Sequence, residues 1–336
     1  MFVRRISLSA VLLAAAIPAA HASSALGVAS GYNLFDLGAY SVTGNSDIMG
    51  SAAVAGSLSA GGSYSINQIP NGATPGTAGL VVGGSVTLAG GQLDNGNAGD
   101  AWIGGSVTSS AGFTFQHNLN YAGSLGSNLV VNGTTTHIAA ASLPIDFSAA
   151  ATALTQLSTT LAADANNGTV TGSSGSYTLT ATGCTLCVFT LPANGGVYNS
   201  ITINAPTGAT VLVNIPGTTV SITNGSITYT GGATAANTLF NLKSATSLTT
   251  TGITIYGSIL APSATFVGTN GAINGELIVG AVNQTSGQTA ELESNNIFTG
   301  NFGVTSTPEP STWFLMASAI AGLVIARRRH ASAANL

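Results

Sequence analysis

Two cysteines lie close enough in the sequence to do chemistry together. Cys184 and Cys187 form the motif Cys-Thr-Leu-Cys. A zinc site would need two further ligands, and no paired Cys or His accompanies them. A thioredoxin-like redox role needs the motif at the start of a helix, whereas residues 180–183 and 188–190 have the pattern of strands. Because both ends of the chain have the pattern of export signals, we expect a small-loop disulfide that fixes a corner.

An oxygen-rich loop offers ligands of the type that calcium prefers. Residues 94–100 read Asp-Asn-Gly-Asn-Ala-Gly-Asp, but their spacing does not follow the EF-hand order. Asn, Asp and Gly are also the residues of solvated turns. We therefore interpret the loop as a turn and predict no metal site and no cofactor.

The ionisable residues do not form a recognisable catalytic set. Glu291 and Glu293 would share one face of a strand, whereas a glycosidase pair usually comes from different elements around a cleft. His117 and His137 lack any nucleophile motif, and Lys243 is the one base available to a lyase-type site. We predict no catalytic residues and no enzyme. A polysaccharide-processing enzyme stays open as an alternative, which convergent carboxylates around Lys243 would favour.

Charge is scarce in the body of the chain. Charged residues make up 5% of the sequence and hydrophobic residues 45%, where a soluble domain usually carries about 25% charged residues. From Ser23 to Thr307, one lysine stands against nine carboxylates. Nucleic acids are bound by clusters of Lys and Arg, so this class of partner is excluded. Neutral Ser, Thr and Asn suit contact with neutral sugars or with another copy of the chain.

Threonine pairs suggest a second kind of surface. Thr-x-Thr occurs at 178/180, at 228/230 and at 249/251. If such threonines stacked in register on one flat face, they could order water and bind ice. Threonine is also simply a good residue for an exposed strand, and we prefer this interpretation.

The elements that would carry these residues are short strands. Runs such as 177–180, 200–203, 220–223 and 252–255 alternate with period 2 between Gly, Asn or Pro. An apolar pair followed by Gly-Ser recurs at 54–58, 82–86, 103–107, 121–125 and 255–259. This pattern predicts an all-β, right-handed parallel β-helix, with two antiparallel sandwiches as the alternative.

One segment breaks the β pattern. Phe147, Ala150, Leu154, Leu157 and Leu161 recur at steps of three and four, which places them on one face of an α-helix at about 146–165. Asp146 is the expected N-cap, and residues 166–168 (Asn-Asn-Gly) are the expected stop. We expect the apolar stripe to lie along the solenoid.

The N-terminus has the three parts of a secretory signal peptide. Arg4 and Arg5 precede an apolar run at 6–17, and Ala20 and Ala22 form an A-x-A cleavage pattern. Residues 1–22 are therefore predicted to be removed on export.

The C-terminus combines Pro308-Glu309-Pro310, an apolar run at 313–326 and the cluster Arg327, Arg328, Arg329. Fourteen residues span about 21 Å, which is short of the roughly 30 Å hydrocarbon core and fits a transient anchor. The basic tail at 327–336 is expected in the cytoplasm. This order resembles the PEP-CTERM protein-sorting signal. The resemblance implies processing by an exosortase-type protease in a Gram-negative bacterium, with the Pro-Glu-Pro triplet as the recognition motif.

The body also resembles a known domain family. Segments 25–35 (ALGVASGYNLF), 46–56 (SDIMGSAAVAG), 256–262 (YGSILAP) and 274–278 (NGELI) look like a choice-of-anchor A domain. The resemblance covers most of residues 25–285 and implies an adhesive surface protein. The pattern often has an acid and an arginine after the Asp, whereas this chain has Met49 and Ser51, so Asp47 lacks that arginine as an ion-pair partner. The plan of a helix beside a β-helix is also similar to bacterial ice-binding domains.

These observations predict an exported cell-surface or matrix protein that first exists as an inner-membrane-anchored precursor. Its parts would be a β-helix domain at 23–300, a linker at 301–312, the sorting helix and the basic tail. We expect adhesion or structural association with exopolysaccharide or other matrix components, and also self-association. Ice binding is the alternative, which an aligned, flat threonine ladder would favour.

Overall fold

A computed structural model describes residues 25–68, 78–94, 99–284 and 289–303 of the chain. They belong to one compact unit, Ser24–Val304. The predicted signal peptide, Pro-Glu-Pro motif, sorting helix and arginine cluster lie outside the described residues. Within those residues, no helix is both long and apolar enough to cross a membrane.

The described residues form 24 strands, one α-helix and short 3-10 helices. The helix α1 is Phe147–Ala163, and the 3-10 helices are Gly27–Ala29, Ala140–Ser142, Asn194–Gly196 and Ala235–Asn237. The strands before α1 are β1 Leu34–Asp36, β2 Tyr40–Val42, β3 Ser46–Ile48, β4 Ala52–Val54, β5 Leu58–Ile66, β6 Ala78–Val82, β7 Val86–Leu93, β8 Asp100–Ile103, β9 Val107–Ser109, β10 Phe113–Phe115, β11 Leu119–Tyr121, β12 Leu129–Val131 and β13 Thr135–His137. The strands after it are β14 Thr169–Ser173, β15 Ser176–Thr180, β16 Leu186–Thr190, β17 Val197–Asn204, β18 Thr210–Asn214, β19 Thr219–Thr230, β20 Thr238–Asn241, β21 Ser247–Tyr256, β22 Ser258–Asn274, β23 Leu277–Gln284 and β24 Glu291–Glu293.

The strands wind into a three-sided β-solenoid, in which strands of neighbouring coils pair in parallel, except for β14, which pairs antiparallel with β15. The helix face consists, in spatial order, of β16, β18, β20, β22, β23, β1, β4, β6, β8, β11 and β13. The second face contains parts of β17, β19, β21, β22 and β23, followed by β2, β5, β7 and β9. The third face contains β14, β15 and the later parts of β17, β19, β21 and β22, then β24, β3, β5, β7, β10 and β12. The solenoid prediction is confirmed, the sandwich alternative is wrong, and the right-handed winding stays a prediction.

The coils are not stacked in chain order. β1–β13 form one half and β14–β24 the other, and the first coil of the chain lies on the last, with β1 on β23 and β3 on β24. We call this contact the seam. The outer ends of the two halves are therefore far apart, and α1 is the element between them in sequence.

Alternation within each strand builds the core. In β19, for example, Val220, Ile222 and Ile227 are buried, whereas the residues between them point outward. Inward residues from successive coils stack into one continuous apolar core. The period-2 pattern of the sequence thus directly determines which side chains face inward.

Four of the five Gly-Ser motifs, at 56–57, 84–85, 105–106 and 123–124, form one stacked corner, whereas the fifth, at 257–258, lies at another corner, between β21 and β22. The Oγ of Ser57 accepts a hydrogen bond from the N–H of Ser85 at 3.2 Å. In the same way, Ser85 accepts from the N–H of Ser106 at 3.2 Å, and Ser106 accepts from the N–H of Ser124 at 3.0 Å. A Cβ on Gly84 would lie 2.6 Å from the Ser57 Oγ. Glycine is needed before the serine because the coils approach too closely there for a side chain.

The helix lies on a stripe of outward apolar residues on the helix face. Ala150, Leu154 and Leu161 are buried, and each such leucine contributes about 1.5–3 kcal/mol by burial. The stripe beneath the helix is Val188, Leu212, Leu239, Leu260, Ile278, Phe35, Ala53 and Val81. It comes from coils on both sides of the seam, which confirms that α1 runs along the solenoid.

The start of the helix is as predicted, and its end is not. The carboxylate of Asp146 accepts hydrogen bonds from the N–H groups of Ser148 and Ala149. The helix ends at Ala163, before the Asn-Asn-Gly stop. Asn166 and Asn167 instead bond to the edge of β16, where their side-chain oxygens accept from Thr190 and Val188 N–H groups at 2.8 Å. These amides substitute for the missing next strand.

Candidate functional site

The outward side chains of four strands on the third face form a regular array, which we call the threonine grid. Each strand contributes three alternating polar residues, which are neutral in every case. The rows are Thr169, Thr171 and Ser173 on β14; Ser176, Thr178 and Thr180 on β15; Ser200, Thr202 and Asn204 on β17; and Ser226, Thr228 and Thr230 on β19.

The rows are in register. Thr178 pairs with Thr202, and Thr202 pairs with Thr228. The hydroxyls of Thr202 and Thr228 are 2.9 Å apart, at hydrogen-bond distance. Neighbouring strands in a sheet lie about 4.8 Å apart and alternate residues about 6.7 Å apart. The grid is therefore a two-dimensional lattice of hydroxyl and methyl groups with fixed spacing.

The grid is held rigid from below. Ile201, Ile203 and Ile227, which alternate with its residues, are buried in the core. Thr178 and Thr228 are exposed and Thr202 is half-buried, so the surface is shallow. A sheet fixed by a packed core can present its polar groups without rearrangement.

A second, more sheltered array lies on the second face. Its rows are Thr219, Ser221 and Thr223; Ser247, Thr249 and Thr251; and Thr265, Val267 and Thr269. All but Thr219 are half-buried. Two of the three sequence-predicted threonine pairs therefore lie in the threonine grid, and the third lies on the neighbouring face.

The surroundings of the grid are almost uncharged. Residues 165–275 contain no carboxylate and a single basic residue, Lys243. Lys243 is exposed in the turn between β20 and β21, and the coils next to it bring no carboxylate to it. The absence of enzymatic activity stays a prediction.

The other candidate residues are dispersed. Cys184 and Cys187 form a disulfide with an S–S distance of 2.01 Å, at the start of β16 beside a shallow depression. Glu293 accepts a hydrogen bond from Asn274 at 2.7 Å, whereas Glu291 is exposed. His137 lies edge-on to Tyr121 with the ring centres 5.3 Å apart.

The oxygen-rich loop at 94–100, which the sequence analysis interprets as a turn, is only partly described, because residues 95–98 lie outside the described ranges. Asp94 is buried and bonds to the side chain of Asn67, and burial raises the pKa of Asp94 to about 7. Asp100 accepts from Asn118 at 3.0 Å. Across the described residues, no three Asp, Glu, His or Cys side chains lie close enough to hold a metal ion.

Sequence reasoning missed the polar groups buried at the seam. The Asn33 amide donates to the carbonyls of Gly275 and Glu293 at 2.6 and 2.9 Å. The Glu276 carboxyl accepts from the N–H of Gly31 at 2.6 Å and is fully buried, which raises its pKa to about 8. Burial also raises the pKa of Asp36 to about 7. The sequence pattern that could have revealed them is a polar residue inside each of two largely apolar segments: Asn33 in 25–35 and Glu276 in 274–278. These two segments meet at the seam.

The carboxylate of Asp47 has hydrogen-bond partners although position 51 holds a serine and not an arginine. Its carboxylate accepts hydrogen bonds from the N–H of Ser65 at 3.3 Å and from the Gln68 amide at 3.0 Å. Amide donors from the next coil thus replace a cationic partner.

Comparison with known proteins gives two family matches. Residues 25–291 match the family described as "Putative Ice-binding-like adhesive domain", and residues 306–329 match the PEP-CTERM protein-sorting motif. No curated relative matches the chain.

Two solved structures are weakly similar. One is an ice-binding protein from the Antarctic ascomycete Antarctomyces psychrotrophicus, at 17% identity and a TM-score of 0.35, covering 82% of this chain and 99% of that one. The other is an ice-binding protein from an Antarctic bacterium, Flavobacteriaceae, at 13% identity and a TM-score of 0.26, covering 81% of each chain.

Proposed function

The chain belongs to the ice-binding-like adhesive domain family, and we propose that it is a surface adhesin that attaches to ice through its threonine grid. Its PEP-CTERM motif implies export and processing by an exosortase. The proposal includes the narrower family, choice-of-anchor A, whose motifs 25–35 and 274–278 meet at the seam. It also includes an inner-membrane-anchored precursor and delivery to the cell surface or the extracellular matrix.

One observation carries the ligand assignment: Thr178, Thr202 and Thr228 stack in register across neighbouring strands of a rigid sheet. On either side of this column, the other residues of the same strands form parallel columns of Ser, Thr and Asn. This is the aligned ladder that the sequence alone left undecided. An isolated exposed threonine is ordinary in a strand, but twelve outward positions without a charge or a large side chain form a continuous surface.

The grid fits ordered water for physical reasons. Its two repeats are similar in scale to the distances between oxygen atoms in ice, so hydroxyls can occupy lattice positions while methyl groups lie between them. Because the core fixes the sheet, little conformational entropy is lost on attachment. Charged side chains would hold their own hydration shells and disturb this order, and the grid has none.

Neutral exopolysaccharide is the second candidate ligand. The observation that favours it is the uncharged stretch 165–275, which offers hydroxyl and amide groups to sugar hydroxyls without electrostatic repulsion. Under either proposal the protein acts by binding.

The test of ice binding compares Thr202→Tyr with Thr155→Tyr. Residue 202 lies in the middle of the grid, and residue 155 is exposed on α1. The compact unit Ser24–Val304, fluorescently labelled, is frozen slowly, and the fraction incorporated into the growing ice is measured. Thr202→Tyr is expected to reduce capture about tenfold, equivalent to about 1.4 kcal/mol, and Thr155→Tyr to leave it unchanged. Circular dichroism checks that both variants are folded.

Equal capture of all three proteins, or no capture of the wild type, would overturn the ice assignment. A parallel pull-down with the organism's own exopolysaccharide, read with reducing-sugar release, separates the alternatives. Sugar binding without ice capture would favour the matrix protein, and release of reducing sugar would show an enzyme.

A further inference from the structure

The two ends of the solenoid are finished differently. At the β14–β16 end, the antiparallel strand β14 covers the edge of β15, and the side chains of Asn166 and Asn167 bond to the edge of β16. The apolar core is closed there, since Tyr177, Leu179 and Phe189 are at most 5% exposed.

The opposite end has no such cover within the described residues. β12 pairs only with β10, and β13 pairs only with β11, so both strands have a free outer edge. The last coil also leaves apolar groups in reach of solvent: Val130 is 52% and Leu125 36% exposed, and Leu129 and Val131 are half-buried.

The hydrogen bonds of β13 show which groups are free to pair. Leu119 N–H donates to the carbonyl of Thr134, and Ile138 N–H donates to the carbonyl of Tyr121. Backbone groups alternate in direction along a parallel ladder. The N–H and C=O of Thr135 and His137 therefore point away from β11, toward the open side.

This edge lacks the devices that normally prevent strand addition. Natural edge strands are protected by charges, prolines, bulges or a covering element. Residues 119–143 contain no Asp, Glu, Lys, Arg or Pro, and the three residues of β13 are all exposed. No like charges would oppose the approach of an identical end.

We propose that the β12–β13 end is a self-association site, at which a second copy of the chain meets the first end to end with β13 antiparallel to β13. A two-fold axis through this strand pairs the outward groups of Thr135 and His137 with those of the other copy. It also buries the exposed apolar residues of both last coils. Because the site pairs with itself about a two-fold axis, association through it stops at a dimer instead of continuing into a fibre. The site is separate from the threonine grid.

The test measures the mass of the unit Ser24–Val304 by sedimentation equilibrium over a range of concentrations. The wild type is expected to form a dimer. Thr135→Lys places two like charges across the two-fold axis and is expected to raise the dimer dissociation constant about tenfold or more. The matched control is Ser59→Lys, an exposed strand position on the second face, which is expected to leave the dimer unchanged.

A pair of variants with opposite charges at residue 135 separates loss of dimer formation from loss of folding. Thr135→Glu alone is also expected to weaken the dimer, and an equimolar mixture of Thr135→Lys and Thr135→Glu is expected to restore it as a heterodimer. A wild type that is monomeric at all concentrations would overturn the proposal. So would a dimer that is unaffected by both substitutions at residue 135. Either result leaves the ice-capture test of the threonine grid independent, because that test needs no dimer.

Discussion

Replacement of Glu276 by Gln is expected to change how the stability of the protein depends on pH. Glu276 is fully buried at the seam, and its Oε2 has no hydrogen-bond partner among the described residues. Burial raises its pKa from 4.5 to about 8. The carboxyl is therefore neutral in the folded protein at neutral pH and ionised in the unfolded chain.

The sign follows from proton binding. Between pH 4.5 and about 8 the folded state holds a proton that the unfolded state has lost, so the free energy of unfolding falls as pH rises. The contribution of Glu276 is complete below pH 4.5 and is lost by about pH 8. A slope of about 1.4 kcal/mol per pH unit over this window amounts to roughly 4–5 kcal/mol. Asp36, with its pKa raised from 3.8 to about 7, adds a similar fall over a lower window.

Urea denaturation of the unit Ser24–Val304 at about pH 5, 6, 7 and 8 measures this slope. Glu276→Gln keeps the oxygen that accepts from Gly31 but cannot ionise. Its slope is expected to be smaller than that of the wild type by about 1.4 kcal/mol per pH unit. Glu291→Gln, at an exposed strand position, is the control and should keep the wild-type slope. Identical slopes for Glu276→Gln and the wild type would refute the reasoning, because they would show that the buried carboxyl already ionises in the folded state near pH 5.

Two further substitutions test the packing that positions the faces. Asn241 is buried, and its amide donates to the Ser158 carbonyl at 2.9 Å and to Asn214 Oδ1 at 2.8 Å. Asn241→Ala is expected to lower the free energy of unfolding by about 2–3 kcal/mol, because it leaves these acceptor groups unpaired. The same substitution is expected to increase hydrogen exchange in the second half of α1. Gly84→Ala puts a methyl group against the Ser57 hydroxyl and the Gly56 backbone and should cost about 2–3 kcal/mol by overpacking. Gly90→Ala puts its Cβ 3.3 Å from the nearest atom, the Gly112 carbonyl oxygen, and should cost less, about 1 kcal/mol. A Gly90→Ala variant as unstable as Gly84→Ala would show that the corner contact does not explain the motif, and unchanged exchange in Asn241→Ala would show that the amide does not hold the helix.

Much of the fold could be predicted from local patterns. The period-2 runs correctly predicted strands within β15, β17, β19 and β21, because the alternation of apolar and polar residues determines which side chains a strand buries. The steps of three and four gave α1 and its buried stripe for the same reason. The helix stop was wrong, because Asn166 and Asn167 satisfy the free edge of β16, and no local signal reveals an edge that forms only when coils stack.

The sequence by itself determined the strand faces, the helix, the recurrent Gly-Ser corner, the near absence of charge and the sorting motif at 306–329. Each of these depends on residue type and on spacing within a few residues. Only the tertiary structure decided that the coils stack out of chain order and that segments 25–35 and 274–278 meet at the seam. It also decided that Thr178, Thr202 and Thr228 align although 24 and 26 residues separate them. Register between coils depends on the length of every intervening turn and on the packing of the whole core, which no local pattern contains.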